Sequence, residues 1–368
     1  MRIPKLTMKK VTAVVGLDIE AGSAAATEVQ LNGAARLGAT SVVPLEPGLF
    51  NDGEVVDPER LGAALSTLFS GDKLPREVRI GVANQRLAMR VLRLPLIEDK
   101  GDLEAAVRFQ AQDELPMPID HAVLDYQVLG RFEDGEGGRQ MDVAVVAARR
   151  DMVAGFLDAA RRGGLRPVGI DLSAFALIRA LAGAAERPGA AAQSDAAGTD
   201  GAAVGPGVLY CNLGDLVNLA VSRGPACTFA RVAPFGLGAI AQELSDRSGL
   251  THEHSRQWLA HVGFEQPIEE IEGDAPTVAA SREVLEKGAS KLIDELRLSL
   301  DFYSNQEGAL PIEEIVFCGA GSTIPGLVER LGDGIALSFR TARPKGLAHL
   351  DDATAGRLTI SYGLALEE

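Results

Sequence analysis

The stretch GLDIEAGSAAATEVQ, residues 16–30, decides the fold once it is laid beside CNLGDLVNLAVS, residues 211–222. The first closes an apolar run, Val11 to Leu17, with Asp18, bends through Glu20, Ala21, Gly22 and Ser23, and resumes strand-like from Thr27 to Leu31. The second closes the run Val208 to Cys211 with Asn212, bends through Gly214 and Asp215, and resumes from Val217 to Ser222. A turn and a third apolar run follow each: Asn32-Gly33 then Ala34 to Val43, and Arg223-Gly224-Pro225 then Ala226 to Val232. Asn-Gly is the strongest short hairpin signal because both residues tolerate positive φ. Both halves therefore open with the same three-strand meander. The small residues at each first bend leave backbone N–H groups free to point into a shared cleft.

Outward from the meanders, residues 186–207 hold mostly Ala, Gly, Ser, Asp, Thr and Pro and are expected to form a disordered linker. It divides the chain into a first domain, 1–185, and a second, 208–368. In the first, a helix is expected over Pro58 to Phe69 with Asp57 as its cap, then a strand over Val78 to Ala83. An excursion at about 90–148 has its own pattern: strand, a helix from Leu103 to Asp113 capped by Asp102, and two strands joined across Asp134 to Gly138. It predicts a small inserted α/β subdomain. Helix Arg150 to Arg162, a Gly163-Gly164 stop, strand Pro167 to Leu172 and helix Ala174 to Ala185 complete this half. The second half predicts a helical subdomain at about 237–303: Leu237 to Arg247, His252 to Val262 capped by Thr251, and Ser281 to Tyr303. The last carries a stripe of Leu285, Ala289, Leu292, Leu296, Leu300 and Tyr303 at helical spacing. Strand Ile315 to Cys318 then meets Gly319-Ala320-Gly321-Ser322, a helix from about Pro325 follows, and a last helix runs from Ala353 to Leu366.

Composition narrows the function classes. With 36 basic and 51 acidic residues among 368, the net charge of −15 argues against a nucleic-acid surface. An apolar content of 46% is enough for substantial cores. Cys211, Cys227 and Cys318 have no CxxC spacing and read as buried strand residues. His252, His254 and His261 lie close in sequence, but 252 and 254 face different sides of a helix, so they read as exposed polar groups and not a metal site. No Gly-x-Ser-x-Gly elbow occurs and no catalytic residue is assigned. Glu269-Glu270 and Asp351-Asp352 read as solvated loop charges. No run reaches the ~18 apolar residues of a membrane span. The basic tail Met1 to Lys10 reads as solvated, and the chain as cytoplasmic.

Taken together, the duplicated halves, an acid or its amide after each first strand, and the late Gly-x-Gly-Ser element resemble the actin and Hsp70 ATPase superfamily. Within it the chain resembles the PilM family of type IV pilus proteins, relatives of the division protein FtsA. The strings that carry this are GLDIEAGSAAATEVQ, NDGEVVDPERL from Asn51, RLPLIEDKGDLEAAVRFQAQDELPMPIDHAVLDYQVLG from Arg93, AARRDMVAGFLDAARRGGLRPVGIDL from Ala147, SLDFYSNQEG from Ser299, VFCGAGSTIPGL from Val316 and SYGLAL near the end. The resemblance implies an α/β, actin-like (duplicated ribonuclease H-like) two-domain fold in which two hairpins clamp phosphates and the glycine element backs adenosine.

On that basis Asp18, Gly22, Ser23, Asn212 and Gly214 match the phosphate side, and Gly319, Gly321 and Ser322 the adenosine side, with ATP and Mg²⁺ as the implied cofactors. Departures weaken that expectation. Glu20 replaces a glycine, Ala25 a lysine, and Leu216 and Val217 small hydroxyl residues. A carboxylate there would cost ~1 to 4 kcal/mol beside phosphate charge. Asn212 lacks the charge that helps hold Mg²⁺. Asp18 reads equally as a turn cap, and Gly319 to Ser322 as a turn that packs without ligand. Leu115-Pro116-Met117-Pro118 reads either as helix termination or as a rim for a partner peptide. The resemblance implies a scaffold that docks the N-terminal tail of a PilN-like membrane protein, contacts pilus motor components, binds no nucleic acid, and lies at the inner membrane only through partners. The acidic surface would suit a tail with basic flanks. The alternative is an active ATP-binding and hydrolysing protein of the same fold.

Overall fold

A computed structural model describes residues 13–31, 35–51, 53–71, 74–133, 137–182, 206–306 and 308–366. The basic tail, the Asn32-Gly33 turn, most of the 134–138 loop and nearly all of the 186–207 linker lie outside the described residues. The first meander is β1 (Ala13–Ile19), β2 (Ser23–Gln30) and β3 (Arg36–Pro44), all antiparallel. A two-rung hairpin, β4 (Phe50–Asn51) and β5 (Glu54–Val55), leads to α1 (Pro58–Leu68). Asp57 caps α1, its carboxylate accepting from the Arg60 N–H at 3.0 Å, and Pro58 takes a first-turn position whose missing N–H costs nothing. The chain returns as β6 (Glu77–Val82), parallel to β1.

The excursion then appears: β7 (Ala88–Pro95), α2 (Lys100–Glu114), β8 (Ala122–Glu133) and β9 (Arg139–Arg149). Its sheet runs β7-β9-β8 and closes over its own core of Leu92, Leu103, Val107, Met141 and Val143. α3 (Arg150–Arg162), β10 (Arg166–Leu172) and α4 (Ser173–Ala182) end the half. The second half repeats the plan with β11 (Gly207–Leu213), β12 (Val217–Arg223) and β13 (Ala226–Ala233), then α5 (Leu237–Ser248), α6 (His252–Val262) and α7 (Ala275–Ser304). β14 (Ile312–Cys318), α8 (Leu327–Ile335), β15 (Ser338–Thr341) and α9 (Asp352–Ala365) follow.

The two large sheets have the orders β10-β6-β1-β2-β3 and β13-β12-β11-β14-β15. In each, a meander is extended on its first strand's free side by two parallel strands. This is the duplicated actin-like α/β architecture expected from the paired motifs, and the excursion enters between the fourth and fifth strands of the first lobe.

Four local readings are corrected. α2 starts at Lys100, because Asp99 and not Asp102 caps it, accepting from the Gly101 and Asp102 N–H groups at 2.8 and 3.0 Å. α7 starts six residues before Ser281, capped by Asp274 through Thr277. Asp351 is no loose loop charge: it caps α9 through the Thr354 N–H at 2.9 Å. β15 escaped notice because four residues, none of them buried, carry little pattern.

The packing division also differs from the sequence division. α4, which ends the first half, packs against β12 and β13, while α9, which ends the second, lies on β1, β2 and β6, and the two helices pack against each other. One continuous core accordingly joins Leu17, Ile80 and Leu177 to Leu358, Leu364, Val316 and Cys318. Glycines permit the clasp: a Cβ at Gly16 would overlap the Ser361 carbonyl, and one at Gly363 the Ala176 carbonyl. A buried hydrogen bond of 2.6 Å between the Thr27 and Ser361 hydroxyls ties β2 to α9. The far face of the second sheet has its own core under α5, α7 and α8.

Candidate functional site

β1 and β11 both end in a tight turn, and the fold sets the two turns face to face. The first spans Glu20 to Ser23, closed by the Glu20 N–H donating to the Ser23 carbonyl at 2.9 Å. The second holds Gly214 and Asp215. Each turn is liganded by a carboxylate of the other. The Gly22 N–H donates to Asp215 Oδ2 at 2.7 Å, and the Asp215 N–H donates to Glu20 Oε2 at 3.2 Å. Arg256, from α6, forms an ion pair with Asp215, whose side chain is 1% exposed against 12% for the arginine. Arg357, from α9, lines the same crevice and pairs with Glu253 at 3.3 Å. The free space among these groups is about 20 Å³, room for roughly one water molecule.

The electrostatics follow from that crowding. Removal from water pushes Glu20 up to about 7, against the pull of Arg256 and Arg357. Asp18 is raised too, first by burial and then by the like charge of Glu20. Burial pulls Arg256 down, with Glu20 opposing.

Of the residues expected at the phosphate side, Asp18, Ser23, Asn212 and Gly214 line this crevice and Gly22 stands at its rim. A Cβ at Gly214 would displace the Glu20 carboxylate from the turn. Asn212 is 3% exposed, and its Oδ1 lies 3.6 Å from Cys318 Sγ on the neighbouring strand β14. Gly319 has φ +87°, and a Cβ there would press on Asn212 and Leu213; Gly321 abuts Leu213 and Leu237. The Ser322 hydroxyl is spent on the Gly319 carbonyl at 2.7 Å. This glycine element is a packing turn in the present conformation. The residues do not fit a magnesium triphosphate: both turn amides are already capped, two carboxylates stand in the space, and Ala25 supplies no cation.

Sequence reasoning missed Asp215, Arg256 and Arg357. Their signal is purely tertiary, since Gly22 and Asp215 are 193 positions apart. His252 is not simply exposed: half-buried beside Gly22, it is held below its ordinary pKa by burial. The His261 Nε2–H donates to the Glu272 carbonyl, 2.8 Å away, and no metal-binding cluster occurs among the described residues. The three cysteines are buried and unpaired, and burial pushes Cys227 up to about 12.

The second region is the junction of the first lobe and the inserted subdomain. Pro116, Met117 and Pro118 line a hollow of about 830 Å³ with Arg86, His121 and Arg150. Leu115 does not join them. It is 7% exposed and packs inward with Leu103, Val107 and Ala111, because its N–H still closes the last turn of α2 on the Ala111 carbonyl. Alongside runs an apolar groove of about 430 Å³ holding Val123, Tyr126, Val146, Ile170 and Phe175. It lies between β8 and β10, each the edge strand of its sheet. The hollow is locally basic: Arg86 and Arg149 share Glu54, Arg149 also pairs with Asp151, and Arg150 donates to the Ala122 carbonyl. The overall acidity therefore does not describe this hollow.

Comparison with known proteins places these features. The family model described as type IV pilus assembly protein PilM matches residues 16–366. A solved PilM-PilN type IV pilus biogenesis complex is 26% identical, covering 97% of this chain and 98% of that one, with TM-score 0.76. MreB5 of Spiroplasma citri bound to ADP is 12% identical over 96% of this chain and 95% of that one, TM-score 0.49. The ethanolamine utilization protein EutJ from Carboxydothermus hydrogenoformans is 12% identical over 96% and 89%, TM-score 0.48. On a family match running from the first turn to the end of the last helix, this chain belongs to the PilM family of type IV pilus assembly proteins.

Proposed function

We propose that this chain is a cytoplasmic scaffold of a type IV pilus or related assembly platform. It docks the N-terminal cytoplasmic tail of a PilN-like inner-membrane protein and passes the contact on to pilus motor components. The observation that carries the reading is the whole-length likeness to the PilM-PilN complex, at 26% identity. The junction between the first lobe and the subdomain supports it. An extended peptide laid there meets unpaired backbone groups on the edges β8 and β10 and apolar side chains between them, the two ingredients of strand-addition recognition. The stiff Pro116-Met117-Pro118 segment forms the neighbouring rim, at small entropic cost on binding. Among the described residues no helix is long and apolar enough to cross a membrane, and membrane contact falls to the partner.

Val123 is 41% exposed within the groove, so Val123→Asp removes apolar contact without opening a core. Calorimetry with a synthetic partner tail is expected to show at least tenfold weaker binding for Val123→Asp, and likewise for Pro116→Ala combined with Met117→Asp. Wild-type affinity in both variants would exclude this junction as the docking site. ATP turnover is the competing reading. It would require the crevice carboxylates to move aside, and phosphate release abolished by Asp18→Ala would favour it.

A further inference from the structure

The crevice contains more than degraded motifs. In an anion-binding turn, backbone N–H groups converge on a negatively charged group. Here the N–H of Gly22 and the N–H of Asp215 each donate to a carboxyl oxygen in that place, supplied by the opposite lobe: Asp215 Oδ2 at 2.7 Å and Glu20 Oε2 at 3.2 Å. Arg256 pairs with Asp215 from a third element, α6, as a phosphate-facing cation would pair with phosphate. The side chains come close to the turns: a Cβ at Gly214 would displace the Glu20 carboxylate, and one at Gly22 would crowd Arg256 and Asp215.

We infer that Glu20 and Asp215 are internal phosphate mimics: exchanged between the two turns, with Asp215 paired to Arg256, they hold the lobes of this chain closed without nucleotide. The inference is independent of the docking reading, for a scaffold closed by nucleotide would dock a peptide at the subdomain junction equally well. Its consequence is that the lobe closure ordinarily conferred by a bound ligand is here a constant property of the folded chain. A second consequence is latent anion affinity. Taking the carboxylates away frees two turn amides and leaves Arg256 beside the vacated space.

The test uses the full chain in two arms. In wild type without nucleotide, hydrogen exchange at the Gly22 and Asp215 amides is expected to be strongly protected, and calorimetry with Mg-ATP, Mg-ADP or inorganic phosphate is expected to show no binding up to millimolar ligand. Unprotected amides, or micromolar binding of Mg-ATP, would overturn the inference whatever the variants do. In the Glu20→Ser, Asp215→Ser double variant, exchange at the Gly22 amide is expected to rise at least tenfold, and phosphate or Mg-ADP to bind at least tenfold more tightly than to wild type. A folded double variant with wild-type exchange and wild-type phosphate affinity would contradict it.

Discussion

Glu20 carries a charge that its surroundings disfavour. Its carboxyl, shifted from the ordinary 4.5 to about 7, faces Asp18, Asp215, Arg256 and Arg357 in a space of one water. Because the folded-state pKa is the higher one, the stability that the protonated group contributes is complete below about pH 4.5 and is lost as pH rises through about 7. The shift corresponds to ~3 kcal/mol in alkaline solution. Glu20→Gln keeps an oxygen to accept from the Asp215 N–H and removes the titration. It is expected to raise the melting temperature at pH 8 and leave it nearly unchanged at pH 4; a pH-independent difference would contradict this assignment. Asp215 is instead held by its ion pair with Arg256. With its partner arginine mostly buried, Asp215→Ala strands Arg256 and is expected to cost ~3 kcal/mol or more by urea unfolding. Adding Arg256→Met should recover part of that loss, whereas simple additivity would mean the pair is uncoupled. The turn positions Asp18, Gly22, Ser23, Asn212 and Gly214 were legible in the sequence because local chemistry shapes a turn. Asp215 and Arg256 were not, since a bond spanning 193 positions leaves no local pattern.

Among the elements, α4 and α9 decide how the halves are joined. Each closes its own half in sequence and packs on the opposite sheet, so the halves are clasped and not merely tethered. Gly363 lies where the two helices touch, and a methyl there would meet the Ala176 carbonyl of the facing helix. Gly363→Ala would gain ~1 kcal/mol in helix propensity, but forcing the backbones apart outweighs this, and a net loss of ~2 kcal/mol is expected. An unchanged urea midpoint would mean that the contact is not tight. The meanders and most helices were readable from periodicity and caps, as Asp57 and Thr251 illustrate. Helix starts at Asp99 and Asp274 were missed where a nearer acid or a more obvious apolar stripe drew the boundary inward. The exchange of α4 and α9 was invisible because their apolar faces do not say which sheet they cover.

For the molecule as a whole, two properties are kept apart in space. The crevice between the turns is filled by the chain's own side chains, while the subdomain junction presents two open grooves of about 830 and 430 Å³. A net charge of −15 surrounds a hollow lined by Arg86, Arg149 and Arg150, so bulk charge does not describe that face. Docking and nucleotide should therefore be uncoupled. The most direct test is calorimetric titration of the full chain with the cytoplasmic tail of its PilN-like partner, with and without Mg-ATP. Binding of equal affinity in both conditions is the expected result; absence of binding, or binding that requires Mg-ATP, would contradict it.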